Sequence, residues 1–334
     1  MISNLLGFHK LFSRLTLSKF LQTKINGFLF RLLPFSISRW YIIFLGRLYY
    51  LLHRQERGVI QLTINNVFKN KMTTETLNYI IKATFTGIFD HYHEKLFVGF
   101  YNFPRLLLFL KKRIRFASTE SLLEALDEGK GVILVTGHFG AVEFLPGVLA
   151  VNGYPVSMIC RVQTDRLLVT LRQRAEWVGL NLINADEGNI ILNALKALKQ
   201  GRILITECDE FDEWRPDPRR SCYLLNCNLP DDRTLGLLRK RSGAPIITAF
   251  VKRGSDRTYT CNLTPVADGA SPDDLPVSQK CMRNLEIVLE ANPEQWYQWK
   301  KFGEMVKARS EVGQAEQEIG LTAPETEKFC RDRA

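Results

Sequence analysis

The chain has 334 residues, 46% of them apolar and 11% aromatic, which is enough for one large α/β domain or two small ones with a real core. Its formal charge of +10, with a pI near 9.3, implies a negatively charged partner: nucleic acid, an anionic membrane surface, or an acidic carrier protein or substrate. Seven cysteines, an odd number with no framework spacing, exclude a disulfide scaffold and point to reduced thiols in a cytosolic compartment.

Residues 1–55 are set apart by apolar runs such as Phe28–Leu33 and Trp40–Leu45, interrupted by Arg31, Arg39 and Arg47. The arginines argue against a simple transmembrane helix. On a helix over 36–54, Arg39, Arg47 and Arg54 fall within an arc of about 80°, leaving Trp40, Ile43, Phe44, Leu48 and Leu51 on the other side. This predicts a basic amphipathic helix, read as lying in the membrane interface, with a core helix that has one solvated face, or a single-pass segment, as the alternatives; no small-residue cleavage site follows it.

From residue 59 the pattern becomes that of a soluble domain. Asp90-His-Tyr-His-Glu94 invites a metal reading, but on a helix His91 and His93 face opposite ways, so the segment is expected to contribute Glu94 or His93 to an acceptor site or to packing. Predicted strands are Gly131–Val135, Val156–Cys160, Leu180–Ile183, Ile203–Thr206, Ile246–Val251 and Tyr259–Leu263. Helical patterns fall at 118–128, 142–151, 165–178, 188–199, 231–242 and 276–291. This alternation predicts an α/β fold: a largely parallel central sheet flanked by helices on both faces, occupying 56–304 behind the N-terminal membrane-associating helix. Asp209–Arg220 reads as a charged, Pro-broken loop, and residues 305–334 read as a loosely attached polar tail. Cys222 and Cys227 lack the second pair or histidine that a zinc site needs.

The segment Val135-Thr-Gly-His-Phe-Gly-Ala-Val-Glu-Phe144 joins a strand to a helix, a place where folds put chemistry. A dinucleotide loop would need more glycines than Gly137 and Gly140, and Phe139 and Glu143 would oppose a phosphate. What remains is His138 and Glu143. In a regular helix they would be about 140° apart and could not touch. They meet only if His138 precedes the helix and Glu143 reaches back from its first turns, orienting the ring for general base catalysis while the helix N-terminus offers amides to an oxyanion.

This His-x4-Glu arrangement after a strand resembles the signature of the glycerolipid and lysophospholipid acyltransferase superfamily, and the longer pattern is similar to its lipid A biosynthesis (late, or lauroyl) branch. The resemblance runs from about residue 34 to 302. It includes Arg54-Gln-Glu-Arg57, Leu62–Phe68, Gly201-Arg-Ile-Leu-Ile-Thr-Glu-Cys-Asp209, Arg241-Ser-Gly-Ala-Pro245 and Pro293-Glu-Gln-Trp-Tyr-Gln-Trp-Lys-Lys-Phe302. It departs in the loop after Asp209 and at Lys300-Lys301, where a His/Arg-Arg pair is usual.

The resemblance implies transfer of a fatty acyl group from acyl carrier protein or acyl-CoA to a hydroxyl of an anionic membrane glycolipid, at the cytoplasmic face of the bacterial inner membrane. His138 would be the base and Glu143 its partner. Asp209, Arg174 and Arg161 would serve substrate binding, Arg172 being the other arginine at the expected distance. No metal or cofactor is expected, because a thioester is already activated. A hydrolase would need a G-x-S-x-G elbow, which is missing, and the dispersed basic residues speak against nucleic acid. A lysophospholipid acyltransferase and a non-catalytic lipid- or membrane-binding protein are the remaining alternatives.

Overall fold

A computed structural model of the chain describes residues 21, 23–162, 164–211, 215–267 and 275–318. Residues 1–20 of the expected membrane segment, 212–214 of the charged loop and 319–334 of the tail lie outside the described residues. The fold is mixed α/β, with twelve α-helices and a mostly parallel seven-stranded sheet among the described residues.

Five helices precede the sheet: α1 (Lys24–Leu32), α2 (Phe35–Leu52), α3 (Arg54–Phe68), α4 (Thr74–Phe100) and α5 (Phe103–Arg113). Their boundaries follow from capping chemistry. The Thr73 side chain accepts the Thr76 amide at the head of α4, and Asn102 accepts the Arg105 amide at the head of α5, with Pro104 in the first turn. The long α4 is buried along much of its length and carries His91, His93 and Glu94 inward.

The amphipathic reading of α2 is corrected in its orientation. Ile43 is buried and Arg39 pairs with Asp90 of α4 at 2.5 Å, so neither lies on the side expected of it. The outward stripe is Ile37, Trp40, Phe44, Leu48 and Leu51, with Ile25, Phe28 and Leu32 of α1 also exposed. Among the described residues no helix is long and apolar enough to cross a membrane.

The sheet comprises β1 (Ile114–Phe116), β2 (Val132–Thr136), β3 (Val156–Cys160), β4 (Asn181–Asn184), β5 (Ile203–Glu207), β8 (Ile246–Arg253) and β9 (Tyr259–Val266), in the order β1-β9-β8-β2-β5-β3-β4. From β8 to β4 the neighbours are parallel, while β9 runs antiparallel to β8. All five side chains of β2 are buried, as befits a central strand covered on both sides. Connecting helices are α6 (Glu120–Asp127), α7 (Leu145–Val151), α8 (Asp165–Trp177), α9 (Ile190–Lys199), α10 (Arg233–Ser242) and α11 (Val277–Ala291).

Three features depart from the sequence reading. The expected loop after Asp209 gives way at Pro216 to a hairpin of β6 (Pro216–Leu224) and β7 (Cys227–Asp232), turning through Leu225 and Asn226 with positive φ. A short β1 joins the sheet edge beside β9. The tail begins as a helix, α12 (Trp299–Glu318), that packs on α3, with Trp299 and Phe302 fully buried.

Candidate active site

The chain leaves β2 toward β3 on one side, while β8 lies on the other, and this reversal of strand order makes the carboxyl ends of β2, β5 and β8 a topological switch point, where α/β folds place their sites. His138 follows β2. Glu207 ends β5 in register with Thr136, and Asp209 and Glu210 come directly after it. Arg253 ends β8.

The loop after β2 is clamped from two sides. Ala141 donates to the Val251 carbonyl and Gly140 to the Gln295 carbonyl. Gly140 has φ +57°, and a Cβ there would stand 1.9 Å from the Val251 oxygen, so only glycine fits. The Arg253 guanidinium donates to Gly140 O and forms a bidentate pair with Glu94 at 2.8 and 2.9 Å. Burial opposes the Arg253 charge, but Glu94 outweighs it and raises the pKa.

His138 is 6% exposed. Its Nδ1 lies 2.9 Å from Asp209 Oδ1 and 3.0 Å from the Gln298 amide, and its backbone N–H donates to both Asp209 oxygens. Asp209, fully buried, also accepts the Trp296 indole N–H at 2.7 Å. An ionised carboxylate only accepts, so the Nδ1 proton points to Asp209 and Nε2 faces the other way. Nε2 stands 3.3 Å from Glu207 Oε2 and 3.3 Å from Glu210 Oε2.

The charges follow from this crowding. Burial alone would lower the His138 pKa, but the Glu207, Asp209 and Glu210 carboxylates outweigh it and raise it to about 9. Burial pushes Glu207 up to about 7 against the pull of His138. Burial would raise Asp209 too, yet the His138 imidazole and the indole and backbone N–H donors hold it below its ordinary value.

The direct contact expected between His138 and Glu143 is not the one the structure makes. Glu143 pairs instead with His91 Nε2 at 3.5 Å and Lys95 Nζ at 3.6 Å, both on α4. The reason is local: Val142–Phe144 is a single 3-10 turn, and α7 starts only at Leu145. Pro146 in the first turn of α7 removes an amide from the helix end expected to serve an oxyanion. His91 is buried, stacks on Tyr297 at 3.9 Å, and has its pKa lowered by burial and by Lys95. Tyr297 meets His138 edge-on at 4.7 Å.

Of the residues expected to bind substrate, Asp209 is brought to the site, but as the buried partner of His138, with no exposed surface to offer a substrate. Arg174 and Arg161 are engaged elsewhere. Arg174 caps the end of α4 through the Val98 and Tyr101 carbonyls and lies over Phe103, and burial lowers its pKa to about 10. Arg161 pairs with Asp186, and Arg172 with Glu187. A polar hollow lined by Asn184, Glu187, Lys196 and Arg202 lies at the β4 edge and includes none of the residues around His138.

Glu207, Glu210, Trp296, Tyr297, Gln298 and His91 belong to the site and were not legible as such. Glu207 and Glu210 carried a usable signal, since acidic residues at a strand's carboxyl end mark the switch point once neighbouring strands are paired. Among known families, the one described as bacterial lipid A biosynthesis acyltransferase matches residues 7–301. No curated protein matches the chain.

Proposed function

The chain belongs to the bacterial lipid A biosynthesis acyltransferase family, and from that premise we propose that it is an O-acyltransferase moving a fatty acyl group from an acyl carrier protein or coenzyme A thioester to a hydroxyl of a lipid A precursor. The observation that carries the reading is the His138–Asp209 pair at the carboxyl end of the central strand. In the proposed step the acceptor hydroxyl attacks the thioester carbonyl while His138 Nε2 takes its proton. The tetrahedral oxyanion collapses, the C–S bond breaks, and the imidazolium returns the proton to the departing thiolate, leaving an ester and a thiol. Asp209 fixes the tautomer and stabilises the imidazolium, the role a buried carboxylate plays in hydrolytic triads. Glu143 acts from the α4 side, held by His91 and Lys95.

The same reading places the protein on the cytoplasmic face of the inner membrane. What supports it is the exposed stripe of Ile37, Trp40, Phe44 and Leu48 on α2 beside Phe28 and Leu32 of α1, with Arg31, Arg47 and Arg54 exposed among them. Apolar side chains with a basic rim suit an anionic leaflet, and one positive surface attracts acidic carrier, anionic acceptor and membrane alike.

The test is acyl transfer by the purified protein, with acyl carrier protein and acyl-CoA thioesters offered separately against a lipid A precursor and a lysophospholipid. The expected product is the precursor heavier by one acyl chain in mass spectrometry. Free fatty acid alone, or acylation of the lysophospholipid alone, would overturn the proposal.

A further inference from the structure

Hydrogen bonding accounts for only one edge of the His138 ring. Nδ1 donates to Asp209, with the Gln298 amide nitrogen beside it at 3.0 Å, whereas Nε2, on a side chain buried beyond nine-tenths, meets only carboxylate oxygens at ion-pair distance. It is aimed between the two carboxylate oxygens of Glu207 and Glu210, each 3.3 Å away. An N–H shared between them would make at most a weak three-centre bond, because each separation exceeds the about 2.7–3.2 Å of ordinary N–H···O bonds.

It is, however, the separation of ligand atoms around a small cation. Bonds of about 2.0–2.1 Å to a tetrahedral zinc-class ion put neighbouring ligand atoms about 3.3–3.4 Å apart. The ligand atoms of His138, Glu207 and Glu210 all lie within 4.8 Å of one another. Asp209 on the far ring nitrogen is the outer partner that metal-binding imidazoles use to present a lone pair at Nε2.

We propose that His138 Nε2, Glu207 and Glu210 form a binding site for one divalent transition cation of the zinc class, with a fourth position left for water or substrate. The imidazole ligand selects zinc, cobalt, nickel or copper over magnesium. Lys301 Nζ contacts the other oxygen of Glu210 at 2.8 Å, so it competes for that carboxylate while leaving Oε2 facing His138. The bound ion occupies the lone pair that takes the acceptor's proton, and it therefore inhibits acyl transfer. That consequence rests on the proposed base role of His138, whereas the site rests on the geometry alone.

The test uses the full chain in detergent, stripped by a chelator and titrated with Co²⁺, whose tetrahedral complexes absorb in the visible. The expected result is one Co²⁺ per chain, displaced by Zn²⁺. His138→Ala, Glu207→Gln and Glu210→Gln should each weaken binding by at least about 100-fold, and Asp209→Asn by about 10–100-fold. Lys301→Ala should tighten it, and Cys222→Ser with Cys227→Ser should leave it unchanged. Melting temperatures establish that each variant is folded. Equal binding by wild type and the folded Glu207→Gln and Glu210→Gln variants would overturn the site, as would no saturable binding at all. If His138→Ala abolishes transfer while wild type binds no cation, the site fails and the acyltransferase reading stands. Ligand-dependent binding with undiminished transfer in saturating Zn²⁺ supports the site and removes His138 as the base.

Discussion

His138→Ala should lower acyl transfer by about 10²–10⁴-fold, the worth of a positioned general base. Asp209→Asn should approach that loss, and the double change should cost little more than either alone, since the two side chains act as a unit. Glu143→Gln, which touches His91 and Lys95 instead, should add its own loss to that of His138→Ala. Transfer rates of the folded variants decide this: additivity between His138 and Asp209 would break the pair. The pH dependence has a definite sign. A base must be neutral to accept a proton, and His138 is held protonated up to about pH 9, so kcat/KM should rise with pH toward 9. Glu207→Gln removes a negative charge from beside Nε2 and should move that rise to lower pH. A flat profile from pH 6 to 9 would speak against His138 as the base. His138 was legible because it follows a strongly apolar strand, whereas Asp209 was reached only through the family resemblance, and then as a substrate ligand rather than as the partner of His138. The Trp296 and Gln298 contacts join residues 87 and 160 positions apart, and local periodicity carries no such information.

Among the elements, the six strands and six helices expected in the α/β body are all present within a few residues, because each is an apolar run or a helical stripe long enough to declare its period. The three-residue β1 and the β6–β7 hairpin were not legible: the first is too short, and the second opens in a stretch whose charges and prolines read as loop. Nor did sequence reveal that β8 and α4 hold the active-site loop through Arg253 and Glu94, since neither neighbourhood resembles a motif. That pair gives a test. Glu94→Ala leaves a buried guanidinium without its counter-charge and should cost about 3–5 kcal/mol, read as a lowered denaturation midpoint. Replacing both residues by Met should recover most of the stability but not the transfer rate, because Gly140 O loses the Arg253 donor that fixes the loop. Equal stability of Glu94→Ala and wild type would show that the pair contributes nothing to the fold.

For the whole molecule, the membrane surface cannot be tested by deleting the first 55 residues, since Phe30, Ile42, Ile43 and Tyr50 are core residues and their loss would uncover α4. Surface substitutions avoid this. Trp40→Glu with Phe44→Glu should weaken binding to anionic liposomes by at least about 100-fold, given roughly 1.5–3 kcal/mol for each large side chain removed from an apolar phase, without lowering the melting temperature. Flotation equal to wild type would move the docking face elsewhere. The central place of β2 has a further consequence, for the time course of folding. Its carboxyl end is completed by Asp209, 71 residues on, and by Gln298, 160 residues on, so the imidazole meets its partners only after long loops have closed. A nascent chain or a compact intermediate can hold most of its helices while His138 still lacks its carboxylate. In refolding from denaturant, far-ultraviolet circular dichroism should recover first, and acyl transfer should return later, in step with the change in tryptophan fluorescence as Trp296 closes over Asp209.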